Sequence, residues 1–115
     1  MIPKLEPSEA EFQHSVTELA TLWGWRVLHI RRSIDGHDGR WRTTTSIAGW
    51  PDILAWRPGQ VIAAELKSEA GRLTRQQKDV LASLADAGIE CFVWRPADWA
   101  QLESVLRPDK IASDK

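Results

Sequence analysis

From residue 12 the apolar positions recur at helical spacing. Phe12, Val16, Leu19 and Trp23 fall within an arc of about 60° at 100° per residue. Ser8 followed by Glu11 has the form of a capping box, and Gly24 stands where a C′ glycine ends a helix. Glu9 lies on the edge of the apolar arc, whereas Glu18 points to the opposite side. The period then shortens. Residues 25–30 alternate Val27 and His29 against Leu28 and Ile30 and predict a strand. Residues 31–49 are polar and contain Gly36, Gly39 and Gly49, so they read as one long connection of the kind that usually serves function. Residues 53–56 and 61–66 are two β-type runs around Arg57-Pro58-Gly59-Gln60. Pro then Gly at the central positions is type II turn chemistry and predicts a hairpin closed by that four-residue loop. Residues 74–87 are helical, with Gln77, Val80, Leu81 and Leu84 on one side and Gly88 as the stop. Residues 89–94 form a further strand ended by Arg95-Pro96, and Asp98 is placed to cap a last helix carrying Trp99, Leu102, Val105 and Leu106. Residues 1–7 read as a flexible lead-in and 107–115 as a polar tail expected to fray. No repeat or low-complexity segment interrupts this order. The expectation is one mixed α/β domain over 1–115 with elements α-β-β-β-α-β-α.

The hairpin is where chemistry concentrates. A loop of residues 57–60 pairs Trp56 with Val61, and the same register sets Asp52 directly opposite Glu65. Opposed residues have Cβ atoms about 4.5–5.5 Å apart on one face of the sheet. Two carboxylates that close repel, and a cation is needed if both are to stay ionised. A hard divalent ion such as Mg²⁺ suits them, since it takes oxygen ligands and often only one or two carboxylates. Lys67 is two residues beyond Glu65, so alternation puts it on the same face. The competing view is a solvated hairpin face with Lys67 paired to either acid.

Composition narrows the partners more than the fold. With 15 Lys plus Arg against 16 Asp plus Glu, the formal net charge is −1, so any nucleic-acid contact must come from a local patch. Such patches exist. Arg31, Arg32, Arg40 and Arg42 outnumber Asp35 and Asp38 in the long connection, and Arg72, Arg75 and Lys78 follow the second hairpin strand. Contacts of that kind to phosphates would be sequence-independent and salt-sensitive, and for any one of these residues the alternative is a solvated face. Trp41 and Trp50 flank the site and could stack on bases, with packing the alternative. The single Cys91 cannot form an intramolecular disulfide, which suits a reducing, cytoplasmic setting. His14, His29, His37 and Cys91 lack zinc-ligand spacing, although His29 would line the cleft if its strand borders it. No apolar run is long enough for a membrane span, and no phosphate-binding glycine loop or dinucleotide fingerprint suggests a nucleotide cofactor.

Gly49-Trp50-Pro51-Asp52 followed by Ala64-Glu65-Leu66-Lys67 resembles the active-site signature of the PD-(D/E)xK nuclease superfamily. More narrowly, the chain is similar to the small stand-alone VRR-NUC (virus-type replication-repair nuclease) domains of phages and bacteria. The likeness extends through Ser8-Glu9 and Phe12-Gln13, Gly24-Trp25, Gly71-Arg72-Leu73 with Gln77, and Val93-Trp94-Arg95-Pro96. The resemblance implies a restriction-endonuclease-like αβββαβ core, here with a C-terminal helix. It implies that Asp52 and Glu65 are metal ligands and that Lys67 orients or activates the attacking water. Glu9 matches a first-helix acid that often joins the metal site, and Gln77 matches a glutamine with a positioning role.

Apart from the family, Glu9 could simply complement the helix dipole, Glu11 serves as a cap, and Gln77 could bond backbone at the core edge. The activity implied is Mg²⁺- or Mn²⁺-dependent cleavage of DNA phosphodiesters, leaving a 5′-phosphate. Stand-alone members of this type suggest a homodimer acting on branched DNA such as Holliday junctions, in a bacterial cell or a phage-infected host. A sequence-specific restriction-type endonuclease and a non-cutting DNA-binding accessory protein are the alternatives.

Overall fold

A computed structural model describes residues 6–30, 32–34, 41–43 and 47–108, with the side chains of 32–34 and 41–43 outside the description. The elements are α1 (Glu9–Leu22), β1 (Arg26–His29), β2 (Arg32–Ile34), β3 (Trp41–Thr43), β4 (Ile53–Arg57), β5 (Gln60–Leu66), α2 (Arg75–Asp86), β6 (Glu90–Trp94) and α3 (Trp99–Leu106), with a 3₁₀ turn at Pro96–Asp98. α1 begins with the capping box expected of it. Ser8 Oγ accepts from the Glu11 amide, and Glu11 Oε1 accepts from the Ser8 amide. The helix ends at Trp23, and Gly24 follows at φ +92°, a conformation glycine adopts without strain.

Strands β1, β4, β5 and β6 form one sheet in the order β1-β4-β5-β6, antiparallel except for the parallel β5/β6 pair. The β5-α2-β6 crossover is the connection a parallel pair requires. This is the mixed α/β order read from periodicity, and it is compatible with a restriction-endonuclease-like core.

Alternation divides the sheet into two faces. Ile53, Ala55, Ile62, Ala64, Leu66 and Trp94 share one face by register and are all fully buried. Phe12, Val16, Leu19 and Ala20 of α1 and Leu102 and Leu106 of α3 complete a single cluster with them. Each such large apolar side chain contributes about 1.5–3 kcal/mol when fully buried. Arg57 ties the hairpin end to this layer. Its guanidinium lies 4.3 Å from the Trp25 ring and donates to the carbonyls of Leu106 and Arg107 at the C-terminus of α3. A cation there satisfies carbonyls that the helix leaves open. α2 packs against β6, and its buried Leu81 stands outside the main cluster, as befits a helix laid over the other face.

Three readings change. Residues 31–49 are not a bare loop, because β2 and β3 pair within them as a separate antiparallel ribbon. Strands of three residues are too short for alternation to register. The β4–β5 hairpin is tighter than a four-residue loop, since Arg57 pairs with Gln60 and only Pro58-Gly59 turn the chain. Gly59 has φ +79°, as the second central position of a type II turn demands. Asp98 occupies the N-cap position of α3, but its carboxylate accepts instead from the Arg95 amide at 2.9 Å and closes the 3₁₀ turn. The lead-in at 1–5 and the tail at 109–115 lie outside the described residues.

Candidate active site

The register of the hairpin places its two acids together. Ile53 pairs with Ala64, so continuing by one residue sets Asp52 opposite Glu65 on the face away from the main cluster. Asp52 is held at both ends. Its carbonyl accepts from the Ile30 amide at 2.8 Å, and its Oδ2 accepts from the Leu66 amide at 2.8 Å. Lys67 follows directly. Its amide donates to the Trp94 carbonyl at 3.0 Å, so the extended pairing with β6 reaches Lys67 and alternation carries its side chain to the Glu65 side.

Burial sets these residues apart. Among the described residues the buried polar or charged side chains are Asp52 (8% exposed), Glu65 (0%), Lys67 (7%) and Gln77 (1%). Isolated charges are not kept in such surroundings without compensation, and a cation beside two carboxylates supplies part of it. A solvated hairpin face is therefore not what forms here.

The neighbouring loops fit closely around this group. Gly49 has φ +88°, and a Cβ on it would stand 2.5 Å from the Gln76 carbonyl carbon and 2.8 Å from the Gln77 nitrogen. Only glycine lets the segment leading to Asp52 approach the first turn of α2 so closely. That turn carries its own capping box. Thr74 Oγ1 accepts from the Gln77 amide, and Gln77 Oε1 accepts from the Thr74 amide at 2.9 Å. Gln77 thus bonds backbone as one of its two readings required, yet its Nε2 is buried with no hydrogen-bond partner among the described residues. Trp50 Nε1 is in the same position. Across the site, a Cβ on Gly71 would press within 3.3 Å of the Lys67 stem, and the Gly71 carbonyl is fixed by Arg95 Nη2 at 2.8 Å. The segments of Gly49 and Arg95 carry the family resemblance, but their roles here depend on contacts distant in sequence.

The VRR-NUC domain model matches residues 10–98, from α1 through the 3₁₀ turn. The chain belongs to the VRR-NUC family. No curated protein and no solved structure matches it. Membership makes the protein a nuclease of the PD-(D/E)xK type, with DNA as its substrate.

The donor set of this VRR-NUC domain suits a divalent ion. Asp52 retains Oδ1 after its bond to Leu66, and Glu65 offers a carboxylate on the adjacent strand. Two hard oxygen donors are what Mg²⁺ commonly takes from protein, with water filling the remaining positions.

Among the described residues no group of three or more His, Cys, Asp or Glu side chains assembles into a metal site. Glu9 lies just outside the matched span, half-buried in the first turn of a helix that packs on the opposite face, where its charge complements the dipole. His29 pairs with Ile53 and so shares the face away from the acids rather than lining the cleft.

Arg72, Arg75 and Lys78 are exposed at and before the start of α2. Arg31 and Arg40 lie outside the described residues, and Arg32 and Arg42 fall in β2 and β3, whose side chains are not described. Partial burial raises the Cys91 thiol above its ordinary pKa. No helix among the described residues is long and apolar enough to cross a membrane.

Proposed function

We propose that this VRR-NUC domain is a Mg²⁺- or Mn²⁺-dependent, structure-selective endonuclease that cuts branched DNA such as Holliday junctions, working as a homodimer. The observation that carries the reading is the burial of Asp52, Glu65 and Lys67 at the end of two paired strands. Asp52 Oδ1 and the Glu65 carboxylate would hold the ion, while Asp52 Oδ2 stays committed to the Leu66 amide. A divalent ion held there would supply acidification of an attacking water and charge neutralisation at the phosphate. Lys67 presents its ammonium to the attacking water or to a non-bridging phosphate oxygen, and Gln77 Nε2 supplies a buried donor beside them. The water oxygen bonds to phosphorus as the P–O3′ bond breaks. The attacking water releases one proton to solvent and the departing 3′ oxygen takes one from solvent, leaving a 3′-hydroxyl and a 5′-phosphate.

Arg72, Arg75 and Lys78, with the arginines of residues 31–42, contact the flanking phosphates. A nuclease domain of this size has little surface of its own for reading a long sequence, which favours recognition of shape by the domain. A two-fold dimer would present two sites to a two-fold junction. A cytoplasmic setting accords with the lone Cys91.

The test is cleavage of labelled four-way junction, 5′-flap and linear duplex DNA with Mg²⁺, Mn²⁺ or chelator, using wild type and Asp52→Asn. Metal-dependent cutting that favours the junction and disappears in the variant is expected. Cutting of linear duplex at one sequence would point to a restriction-type enzyme, and binding without cutting would leave an accessory protein.

A further inference from the structure

The face of the sheet that carries Asp52 and Glu65 continues beyond them, and register fixes what it holds. Arg26 pairs with Trp56 and Trp56 with Val61, so these three form one cross-strand row. Between that row and the acids lies the Leu28–Leu54 pair. All share a face, because each position in β4 is an even number of residues from Asp52. At roughly 3.3 Å per residue the Trp56 row stands about 13 Å from the acid pair.

This part of the face is open. Leu28 is 47% exposed, Trp56 39% and Val61 37%, and Arg26 is exposed beside them. This apolar sheet surface, with a half-open indole and a flanking guanidinium, stands open among the described residues. The indole offers a π-face for a base, and the guanidinium offers a partner for the adjoining phosphate. A base is free to stack on such a platform only when it is unpaired. A second copy of the chain fits less well. Leu28, Trp56 and Val61 are each already more than half covered by their own fold, so their open apolar area falls short of the roughly 1,000 Å² that a stable interface buries.

We infer that the Arg26–Trp56–Val61 row is a stacking platform for unpaired nucleotides of the DNA substrate, continuous with the candidate active site. The inference rests on the nuclease reading only in taking DNA as the ligand. It names single-stranded arms or splayed bases, a few nucleotides from the scissile phosphate, as the feature recognised.

The experiment compares binding, in chelator, of a splayed-arm DNA with oligo-dT strands and of a blunt duplex of the same core. The wild-type chain should prefer the splayed DNA. Trp56→Ala should weaken splayed-arm binding roughly five- to hundred-fold and collapse that preference, and Trp56→Phe should restore it. Arg26→Ala should reduce the salt dependence of splayed-arm binding by a slope of about one. Circular dichroism of each variant guards against misfolding.

Equal affinity of wild type for both DNAs, or a preference untouched by Trp56→Ala, would overturn the inference. So would a Trp56→Ala variant that changes from dimer to monomer in light scattering without altering that preference, since the face would then belong to a second copy. Trp56-dependent binding by a protein that cuts nothing with any metal would support the platform and sink the endonuclease reading.

Discussion

Asp52 Oδ2 accepts a 2.8 Å hydrogen bond from the amide of Leu66, the residue that separates Glu65 from Lys67. One carboxylate oxygen therefore locks the two strands of the site together, while the other is left for chemistry. The two functions can be separated by mutation. Asp52→Asn keeps an acceptor for the Leu66 amide and removes the charge. It should fold normally yet lose about 100-fold or more in cleavage, as expected when a metal contribution of several kcal/mol is removed. Asp52→Ala should additionally lose about 1–3 kcal/mol of stability, because a buried amide then has no acceptor. Urea unfolding beside cleavage assays checks both. Equal stability of the two variants would show that the strand-locking bond contributes nothing.

Gly49 should be among the least replaceable positions outside the charged group. Gly49→Ala adds a Cβ at 2.5 Å from the Gln76 carbonyl carbon in a conformation with φ +88°. Strain at such backbone angles costs of order 1–3 kcal/mol, and the clash adds to it. The segment carrying Asp52 can relieve the clash only by moving away from α2. The variant should therefore show both a lowered Tm and reduced cleavage, whereas Gly24→Ala, where the added Cβ meets nothing within 4 Å, should lose stability alone. Thermal unfolding and activity measured on the two proteins decide this.

The Asp52–Glu65 juxtaposition was legible in the chain because a strand period of two makes register a matter of counting. Whether the loop is Arg57–Gln60 or only Pro58-Gly59, the pairing of Trp56 with Val61 is the same. The capping box of Ser8 with Glu11 is equally local, closing over three residues, and that of Thr74 with Gln77 has the same spacing but went unread. What sequence alone could not supply is tertiary. Gly49 meets Gln76 across a long chain separation, and β2 and β3 are too short to impose a period. Helical periodicity put Glu9 on the edge of the apolar arc, but how near the first turn of α1 comes to the acid pair is set by tertiary packing that no local pattern encodes.

Metal binding should be measurable without substrate. An ion that binds only the folded chain stabilises it by about 2.7 kcal/mol at a hundredfold excess over its Kd. Mg²⁺ or Mn²⁺ should therefore raise the Tm of wild type, and removal by chelator should reverse the shift. Asp52→Asn and Glu65→Gln should each abolish it. A metal-induced shift that survives in Asp52→Asn would place the ion elsewhere.

Cys91 should be a sluggish thiol. Its partial burial disfavours the thiolate and raises its pKa, so at a given pH below that value less of it is ionised than in an unfolded peptide. Alkylation by iodoacetamide at pH 7–8 should be slower in the native protein than after denaturation, and the gap should narrow as pH rises through the native pKa. Stopped-time mass spectrometry gives both rates; equal rates in native and denatured protein would refute the assignment.

Gln77 offers the sharpest separation of structure from chemistry. Its Oε1 closes the capping box of α2, and its Nε2 is a buried donor with no partner among the described residues. Gln77→Glu keeps an oxygen for the Thr74 amide, in the position where glutamate is the usual partner, but replaces the donor with an acceptor. Gln77→Ala removes both and should cost about 1 kcal/mol through the lost cap. If the amide nitrogen serves substrate, Gln77→Glu should retain most of the wild-type Tm while cleavage falls sharply, because a carboxylate near the phosphate repels what the amide would have held. If Gln77 is only a cap, cleavage should follow stability, with Gln77→Glu active and Gln77→Ala impaired in proportion to its unfolding. Parallel thermal unfolding and single-turnover cleavage of the three proteins distinguish the two, and a fully active Gln77→Glu enzyme would remove Gln77 from the site.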